Sequence, residues 1–256
     1  MADHSSLHPD ILFHFTNKKS LFKILVETFK VSYSREKFTG LTQSVEFGAP
    51  MVSFCDLRLS ELKTHMRKYG KYGIGLTKGW ADNNGLNPVF YVNSSCQLID
   101  DFILSVNSIY TELNNTTTEE QYFSVLKTYE SIMNMYRYIK NYEGELVRKG
   151  LLSHKKYRFA DEREWRYVPR SSNDLASFVP KEWLSTKQDK QYVNQLVSDY
   201  RLRFHADDIK YIIINNDNEI SELISHLEKY KSHYDENTRR RLASRILTAE
   251  QIERDV

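Results

Sequence analysis

Cysteine is scarce in this chain of 256 residues, which contains only Cys55 and Cys96. Two cysteines so far apart form no metal-ligand spacing, and they favour a reducing compartment over a disulfide framework. No apolar stretch of the sequence approaches the roughly 18 residues that a membrane helix needs. The N-terminus also lacks the basic region and long apolar run of a signal peptide. We therefore expect a cytoplasmic protein.

A large excess of one charge is also missing, because 36 Lys and Arg residues nearly balance 34 Asp and Glu residues. The net charge of +2 is too small to indicate nucleic-acid binding by itself. Apolar residues make up 40% of the chain and charged residues 27%, which is typical of globular proteins. The length suits a single domain over residues 1–256.

Periodic apolar patterns predict strands mixed with helices, and hence an α+β fold. The turn-rich stretch "TKGWADNNG" is predicted to link two of the strands. The predicted strands are "ILFHFT", "FGAPMVSFCD", "YGIGL", "NPVFYV", "EWRYVP" and "IKYIIIN". The predicted helices are "NKKSLFKILVETF", "LSELKTHMRKYG", "EISELISHLEKY" and "DENTRRRLASRILTAEQIERD".

The middle of the chain departs from this mixture of strands and helices. From Thr118 to Tyr142, apolar and aromatic residues recur at spacings of four and three, as in a long amphipathic helix. We interpret this helix as part of a helical insertion, about residues 94–158, that packs on the sheet. The C-terminal residues 218–256 are predicted to be helical as well.

Two glutamates, Glu162 and Glu164, stand directly before an aromatic and apolar run, and Glu164 is the first residue of the predicted strand "EWRYVP". In an extended chain, side chains two residues apart point to the same face. A carboxylate beside an aromatic wall stays ionised if a cation such as Arg166 lies near, and it then suits the stabilisation of a cationic sugar centre. The alternative is a solvated strand edge with Glu164 paired to an arginine, which contributes little to stability.

Polar residues near the ends of two earlier strands are further candidates for a binding site. His14 and Thr16 lie at the junction of the first strand and helix, where ligand-binding residues are often held, although Thr16 is equally suited to cap the helix. An isolated histidine such as His14 is more often a partly buried structural residue. Ser53 and Arg58 are candidates for lining a pocket. The alternative is that Ser53 is a small packed residue of the strand and that Arg58 is a solvated residue in the first turn of the helix.

The stretch "YGKYGIGLTKGW" combines tyrosines with glycines. Its glycine spacing fits neither a phosphate-binding Walker loop nor a dinucleotide-binding fingerprint. A glycine in a strand often marks the close approach of a ligand or of another backbone, and a tight corner is the alternative. Tyr69 or Tyr72 is suited to stack on a flat aromatic ligand.

Basic residues surround the two glutamates and alternate with aromatic ones. Such a pattern suits single-stranded nucleic acid, because cations follow the phosphates while rings stack on the bases. A run of charges is more often only a solvated face, so we favour nucleic acid over a protein acceptor by a narrow margin. The residues of this candidate surface are Lys155, Lys156, Arg158, Arg163 and Arg166.

Three stretches together resemble the AbiGi-type abortive-infection proteins of bacterial phage defence. They are "LFHFT" with "LFKIL", then "PMVSFCDLRLSELKTHMRKYGKYGIGLTKGWADNNGLNPVFYV", and "DEREWRYVP". The resemblance covers Ile11 to Val92 and Asp161 to Pro169, and its central block is the most specific part. Proteins with that label are described as antitoxin components.

The order of the motifs is similar to that of the ADP-ribosyltransferase fold and of its DNA-targeting DarT group. This resemblance implies a split β-sheet with flanking helices and with NAD in its cleft, and it implies no metal. Glu164 would be catalytic, and Glu162 would orient or deprotonate the acceptor. NAD would be bound by residues of the earlier motifs, namely His14, Phe15, Thr16, Ser53, Arg58, Tyr69 and Tyr72.

These resemblances imply an NAD-dependent ADP-ribosyltransferase toxin of phage defence that modifies RNA or DNA and has a cognate partner protein. The alternative is a non-catalytic antitoxin or interaction module that binds a toxin through the tyrosine-rich long helix. A third hypothesis, ranked last, is a metal-independent nuclease that uses His14 and the basic residues.

Overall fold

The computed structural model describes residues 9–148, 151–170, 176–231 and 234–255. The strands, in chain order, are β1 (Ile11–Thr16), β2 (Phe29–Lys30), β3 (Ser32–Thr39), β4 (Ser44–Cys55), β5 (Tyr72–Thr77), β6 (Asn87–Pro88), β7 (Phe90–Val92), β8 (Ile139–Asn141), β9 (Glu143–Arg148), β10 (Leu151–Arg158), β11 (Glu164–Tyr167), β12 (Val179–Pro180), β13 (Arg201–Leu202), β14 (Ile209–Ile214) and β15 (Ile246–Thr248). The α-helices are α1 (Lys18–Glu27), α2 (Leu62–Tyr69), α3 (Lys78–Asn83), α4 (Leu98–Asn114), α5 (Glu119–Tyr136), α6 (Lys187–Leu196), α7 (Ile220–Tyr230), α8 (Glu236–Ala243) and α9 (Ala249–Asp255).

The main sheet has the order β15-β14-β5-β1-β4-β11-β6, and β3 and β12 also pair with β4. Strand β4 joins the two parts of this sheet because it is 12 residues long. Its first part pairs with β3, whereas its last part pairs with β1 and β11. Polar side chains on β4 and β11 therefore lie next to the central strand β1.

Two apolar layers enclose the sheet. On one face, helices α1 and α7 pack their buried residues, such as Leu21 and Leu223, against Leu12 and Ile74. On the other face, α2 and α9 bury Met66 against Phe13 of β1. Burial on both faces gives β1 and β14 their nearly continuous apolar sequences.

Glycines in β5 make room for aromatic rings of the neighbouring strand. A Cβ atom at Gly75 would lie 2.7 Å from the Phe13 ring, and one at Gly73 would lie 3.0 Å from the Phe15 ring. Both distances are shorter than a carbon–carbon van der Waals contact. Close approach is therefore the reason for these glycines, but the approaching groups are aromatic side chains of β1 rather than the ligand or backbone that the sequence analysis considered.

Several predicted elements have different bounds in the structure. The stretch predicted as a turn-rich link contains helix α3, because Thr77 caps its first turn and Trp80 and Ala81 are buried. The long central helix ends at Tyr136 rather than Tyr142, since Ile139 turns into the core as part of β8.

Residues 139–148 and 151–158 form strands rather than the end of a helical insertion. The insertion proper is the helical hairpin α4–α5, whose two helices are joined by residues 115–118. Near the C-terminus, β15 interrupts the predicted helices because Ile246 to Thr248 pair in parallel with β14. Within the described ranges, none of the helices has the length and apolar character that crossing a membrane requires.

The structure confirms a mixed α and β fold with helices on its sheets. The finer expectation, an ADP-ribosyltransferase-like split sheet, stays a prediction.

Candidate functional site

A pocket of about 270 Å³ opens where β1, β4, α2 and β11 meet. The register of the sheet explains why the motifs converge, since Glu164 of β11 pairs with Cys55 of β4 and Phe13 of β1 pairs with the same residue. Six of the residues predicted from the sequence line this pocket, namely His14, Phe15, Ser53, Tyr69, Glu162 and Glu164. A larger cavity, of about 610 Å³ between α7 and α8, contains none of the predicted site residues.

Glu164 lies at the buried wall of the pocket, and both of its carboxylate oxygens are occupied. One oxygen accepts hydrogen bonds from Ser53 Oγ at 2.8 Å and from Arg166 Nε at 2.7 Å. The other accepts from Lys140 Nζ at 2.6 Å. Burial alone would raise the pKa of Glu164, but the charges and hydrogen bonds of Arg166 and Lys140 outweigh it and hold that pKa well below its usual range.

Arg166 is the largest side chain that is completely buried among the described residues. Its guanidinium donates to Glu36 at 2.6 Å, to Glu164 and to the backbone carbonyl of Arg137 at 2.7 Å. Burial disfavours the charged form, yet the two carboxylates raise the pKa of Arg166 above its ordinary value. The cation is therefore retained inside the protein by paired and hydrogen-bonded anions.

Glu162 is held in place mainly by tyrosines. One of its oxygens accepts hydrogen bonds from the hydroxyl groups of Tyr69 and of Tyr157, the latter at 2.9 Å. The other lies 3.3 Å from Lys140 Nζ, so this lysine bridges Glu162 and Glu164. Burial lowers the pKa of Lys140, but the two glutamates more than reverse this effect and raise it overall.

The two glutamates do converge, although the backbone between them is not extended. Glu162 ends a 3-10 turn, Phe159–Glu162, and Arg163 adopts a left-handed conformation with φ 43° before β11 begins. A positive φ is uncommon for a residue other than glycine. The kink, rather than the alternation of a strand, turns Glu162 towards Lys140.

His14 also lines the pocket and contacts the backbone of Ser53. Its Nδ1 lies 2.8 Å from the carbonyl oxygen of Ser53, and its ring packs on Phe29 and Phe54. Burial lowers the pKa of His14, and the hydrogen bond to Ser53 opposes this shift without cancelling it. The ring is therefore neutral at neutral pH, and donation from Nδ1 leaves Nε2 as an acceptor.

Three residues that the sequence assigned to the same site lie elsewhere. Tyr72 donates its hydroxyl proton to Glu219 at 2.8 Å and does not line the pocket. Arg58 precedes a short 3-10 turn, and Thr16 ends β1 opposite Tyr72. Asn17, rather than Thr16, caps helix α1 by accepting a hydrogen bond from Ser20 N at 2.9 Å.

The five basic residues of the predicted nucleic-acid surface do not form one continuous exposed surface. Lys155, Lys156 and Arg158 are exposed on β10. Arg163 forms an ion pair with Glu61, and Arg166 is enclosed in the core with its donors occupied. The guanidinium of Arg166 is therefore not accessible to a phosphate group.

Sequence reasoning missed the cations and acceptors that complete this buried network. Lys140 follows the long central helix by four residues, and Glu36 lies on β3, more than one hundred residues before Glu164. Their contacts depend on the pairing of β3 with β4 and of β8 with β7. A lone lysine within "RYIKNY" gives no signal of that pairing.

The site thus belongs to a mixed α and β protein with a small aromatic pocket and an internally paired set of carboxylates. Residues 23–215 match the model of a family described as "Putative abortive phage resistance protein AbiGi, antitoxin". The chain is also 26% identical over 199 residues to the "Abortive phage resistance protein AbiGi" of Lactococcus lactis subsp. cremoris, covering 72% of this chain and 78% of that protein. No solved structure matches the chain. This chain belongs to the AbiGi family of abortive phage resistance proteins.

Membership confirms the resemblance to AbiGi proteins that the sequence motifs indicated. The expected function, an ADP-ribosyltransferase toxin, is wrong, because the description of the family names an antitoxin. That description agrees with the alternative, a non-catalytic antitoxin. NAD and nucleic acid as ligands, and the roles given to individual residues of the pocket, stay predictions.

Proposed function

We propose that this chain is the antitoxin of an abortive-infection system and that it neutralises its toxin by binding it directly. The description of its family as an antitoxin supports the role. Direct binding is supported by one structural observation above all: the α4–α5 hairpin exposes large apolar side chains over much of its length.

The hairpin is anchored at its base and uncovered beyond it. Near the base, Ile99, Ile103 and Tyr136 pack into the apolar cluster formed with β3 and β4. Helix α5 has 18 residues, of which only Tyr136 is buried. A helix with so little buried surface gains most of its stability from its partner helix, and a second protein is well placed to cover the rest.

Large apolar side chains are more than 40% exposed on both helices. Isolated exposed apolar residues are ordinary, but a concentration of them on one structural unit marks an interaction surface. Aromatic residues are over-represented among the anchors of such surfaces. The exposed residues of the hairpin are Leu98, Leu104, Tyr110, Tyr122, Phe123 and Met135.

The buried carboxylates suit a structural role in this proposal. Glu164 is surrounded by Ser53, Lys140 and Arg166 of the same chain. These contacts tie β4, β8 and β11 together directly below the hairpin, because Lys140 lies four residues after α5 ends. The network would thus hold the base of the interaction surface in a fixed position.

Co-expression tests the antitoxin role. The protein encoded by the neighbouring gene is the candidate toxin, and we expect its expression alone to arrest growth. Co-expression with this chain should restore growth, and the two proteins should co-purify at a fixed ratio. Rescue should rise with the amount of antitoxin and should persist in Glu164→Gln, because binding, unlike catalysis, does not need that carboxylate. Failure of the wild-type chain to restore growth would refute the role.

A small-molecule ligand in the pocket is a second candidate function, favoured by the convergence of six predicted residues there. The pocket volume of about 270 Å³ is close to the lower end of the range for ligand pockets, about 300 Å³. His14 Nε2 would accept a hydrogen bond from such a ligand, and the rings of Phe15 and Tyr69 would contact its flat face. Calorimetric titration with NAD is the direct test, and an absence of heat at millimolar NAD would remove NAD from consideration.

A further inference from the structure

The α4–α5 hairpin differs from the rest of the molecule in charge as well as in exposure. Residues 97–136 contain six acidic residues and a single lysine, a net charge of −5, whereas the whole chain carries +2. The remaining residues therefore carry +7. A partner that binds the hairpin must therefore carry a positively charged surface that complements this excess of negative charge.

One of these acidic side chains is buried and the other five are exposed. Asp100 turns inward and accepts backbone hydrogen bonds from Leu41 at 2.6 Å and Thr42 at 3.0 Å. The other five point to solvent, and none of them forms an ion pair within the part of the chain that the structure describes. These five residues are Asp101, Glu112, Glu119, Glu120 and Glu130.

Acidic and apolar residues share the same exposed faces. On α5, Glu119, Phe123 and Glu130 recur at intervals of four and seven, so they lie along one side of the helix. On α4, Asp101 and Leu104 are three residues apart and are likewise both exposed. Each helix therefore presents an exposed apolar side chain, Leu104 or Phe123, beside exposed carboxylates.

We infer that the hairpin docks into a basic surface of the toxin, with its apolar residues in the centre of the interface and its carboxylates paired to lysines and arginines around them. This inference rests on the proposed antitoxin function and specifies the chemistry of the partner. Unpaired acidic residues repel nucleic acid and anionic membranes, whereas they attract a protein surface of opposite charge. A positively charged surface is also what a protein uses to hold phosphate groups, so docking there would cover such a site.

The test compares two sets of three substitutions that remove the same amount of charge. The hairpin set is Glu119→Gln, Glu120→Gln and Glu130→Gln. The control set, taken from exposed positions outside the hairpin, is Glu145→Gln, Glu182→Gln and Glu228→Gln. A third variant, Phe123→Ser, removes the most exposed ring of the hairpin. Affinity for the purified toxin is measured by calorimetry at two salt concentrations, and growth rescue is measured in parallel.

We expect the hairpin set to weaken binding about tenfold at 0.05 M salt, because rim charges act over roughly a Debye length. At about 0.5 M salt the difference should shrink below about threefold, since screening removes most of the attraction. The control set should bind as the wild type does. Phe123→Ser should weaken binding about 30-fold or more at both salt concentrations, as expected for an apolar anchor.

Three outcomes would overturn the inference, and they are distinguishable. If the wild type neither binds the toxin nor restores growth, the proposed function fails and the inference fails with it. If the wild type binds and both charge sets bind equally well, only the inference is refuted. If the chain alone sediments as a dimer that the hairpin set converts to a monomer, the hairpin binds a second copy of this chain instead.

Discussion

Two regions of the molecule, the buried network around Glu164 and the exposed α4–α5 hairpin, differ in where they place charged and apolar groups. In the network, charged groups are inside the protein and are paired with one another, as Arg166 is with Glu36 and Glu164. In the hairpin, apolar groups such as Phe123 are exposed, beside carboxylates that form no ion pair with any described residue. Charged groups that pair with one another inside the protein stabilise the fold. Exposed apolar and charged groups on the surface of the hairpin are available to bind a partner.

This comparison leads to an ordered series of substitutions. Variants in the network should reduce the free energy of unfolding strongly and leave toxin binding intact while the protein is folded. Variants on the surface of the hairpin should do the reverse.

Arg166→Met should cause the largest loss of stability, about 3–5 kcal/mol, because it leaves Glu164 and Glu36 buried without their common partner. Urea denaturation followed by circular dichroism measures the change. Arg240→Met is the matched control, since Arg240 forms an exposed ion pair with Glu236. The control should change the free energy of unfolding by less than about 1 kcal/mol. Equal losses in the two variants would contradict a structural role for the network.

Glu164→Gln should cost about 1–3 kcal/mol, because a neutral amide replaces the charge-assisted hydrogen bonds from Arg166 and Lys140. The same denaturation experiment measures this loss. Below its melting temperature the variant should still co-purify with the toxin in the wild-type ratio. A variant that is fully folded but no longer binds would show that the pocket, rather than the hairpin, takes part in recognition.

Acid should destabilise the protein partly through Glu164. The folded-state pKa of this carboxyl is well below its unfolded value of 4.5, so the folded state resists protonation that the unfolded state accepts. Its contribution to stability is complete above pH 4.5 and is lost progressively as the pH falls below that value towards the folded pKa. Melting temperatures between pH 7 and pH 3 should fall less steeply in Glu164→Gln than in the wild type. Parallel curves for the two proteins would contradict this assignment.

Phe123→Ser should have the smallest effect on stability, because this ring is 57% exposed. Surface substitutions away from special features usually change the free energy of unfolding by no more than about 0.5 kcal/mol. Thermal melting checks this value in the same preparation that is used for toxin binding. A loss of several kcal/mol would show that the ring packs within this chain and is not available to a partner.

The sequence predicted much of the frame and part of the pocket. Strong apolar periodicity predicted β1, β14 and α2 close to their observed positions, because these elements bury a whole face or both faces. His14, Ser53 and Glu164 do meet in one pocket. The prediction that Glu164 is catalytic did not include its contact with Lys140, because that contact arises from pairing between distant strands.

The extent of the helical insertion was predictable only in part. The spacing from Tyr122 to Tyr136 predicted α5, whereas α4 was predicted only as part of the helical insertion as a whole. Helix α4 nevertheless has a helical pattern of its own, because the buried residues Ile99, Ile103, Val106 and Leu113 recur at spacings of four, three and seven. What this pattern could not show is that apolar residues outside it, such as Leu104, remain exposed in the folded chain.

The most direct test of the central claim is a co-purification in which the toxin is produced together with wild-type antitoxin, with Phe123→Ser or with Glu164→Gln. The account predicts that Glu164→Gln retains the toxin at the wild-type ratio and that Phe123→Ser loses it while remaining folded. Retention by Phe123→Ser together with loss by folded Glu164→Gln would contradict the account and move recognition to the pocket.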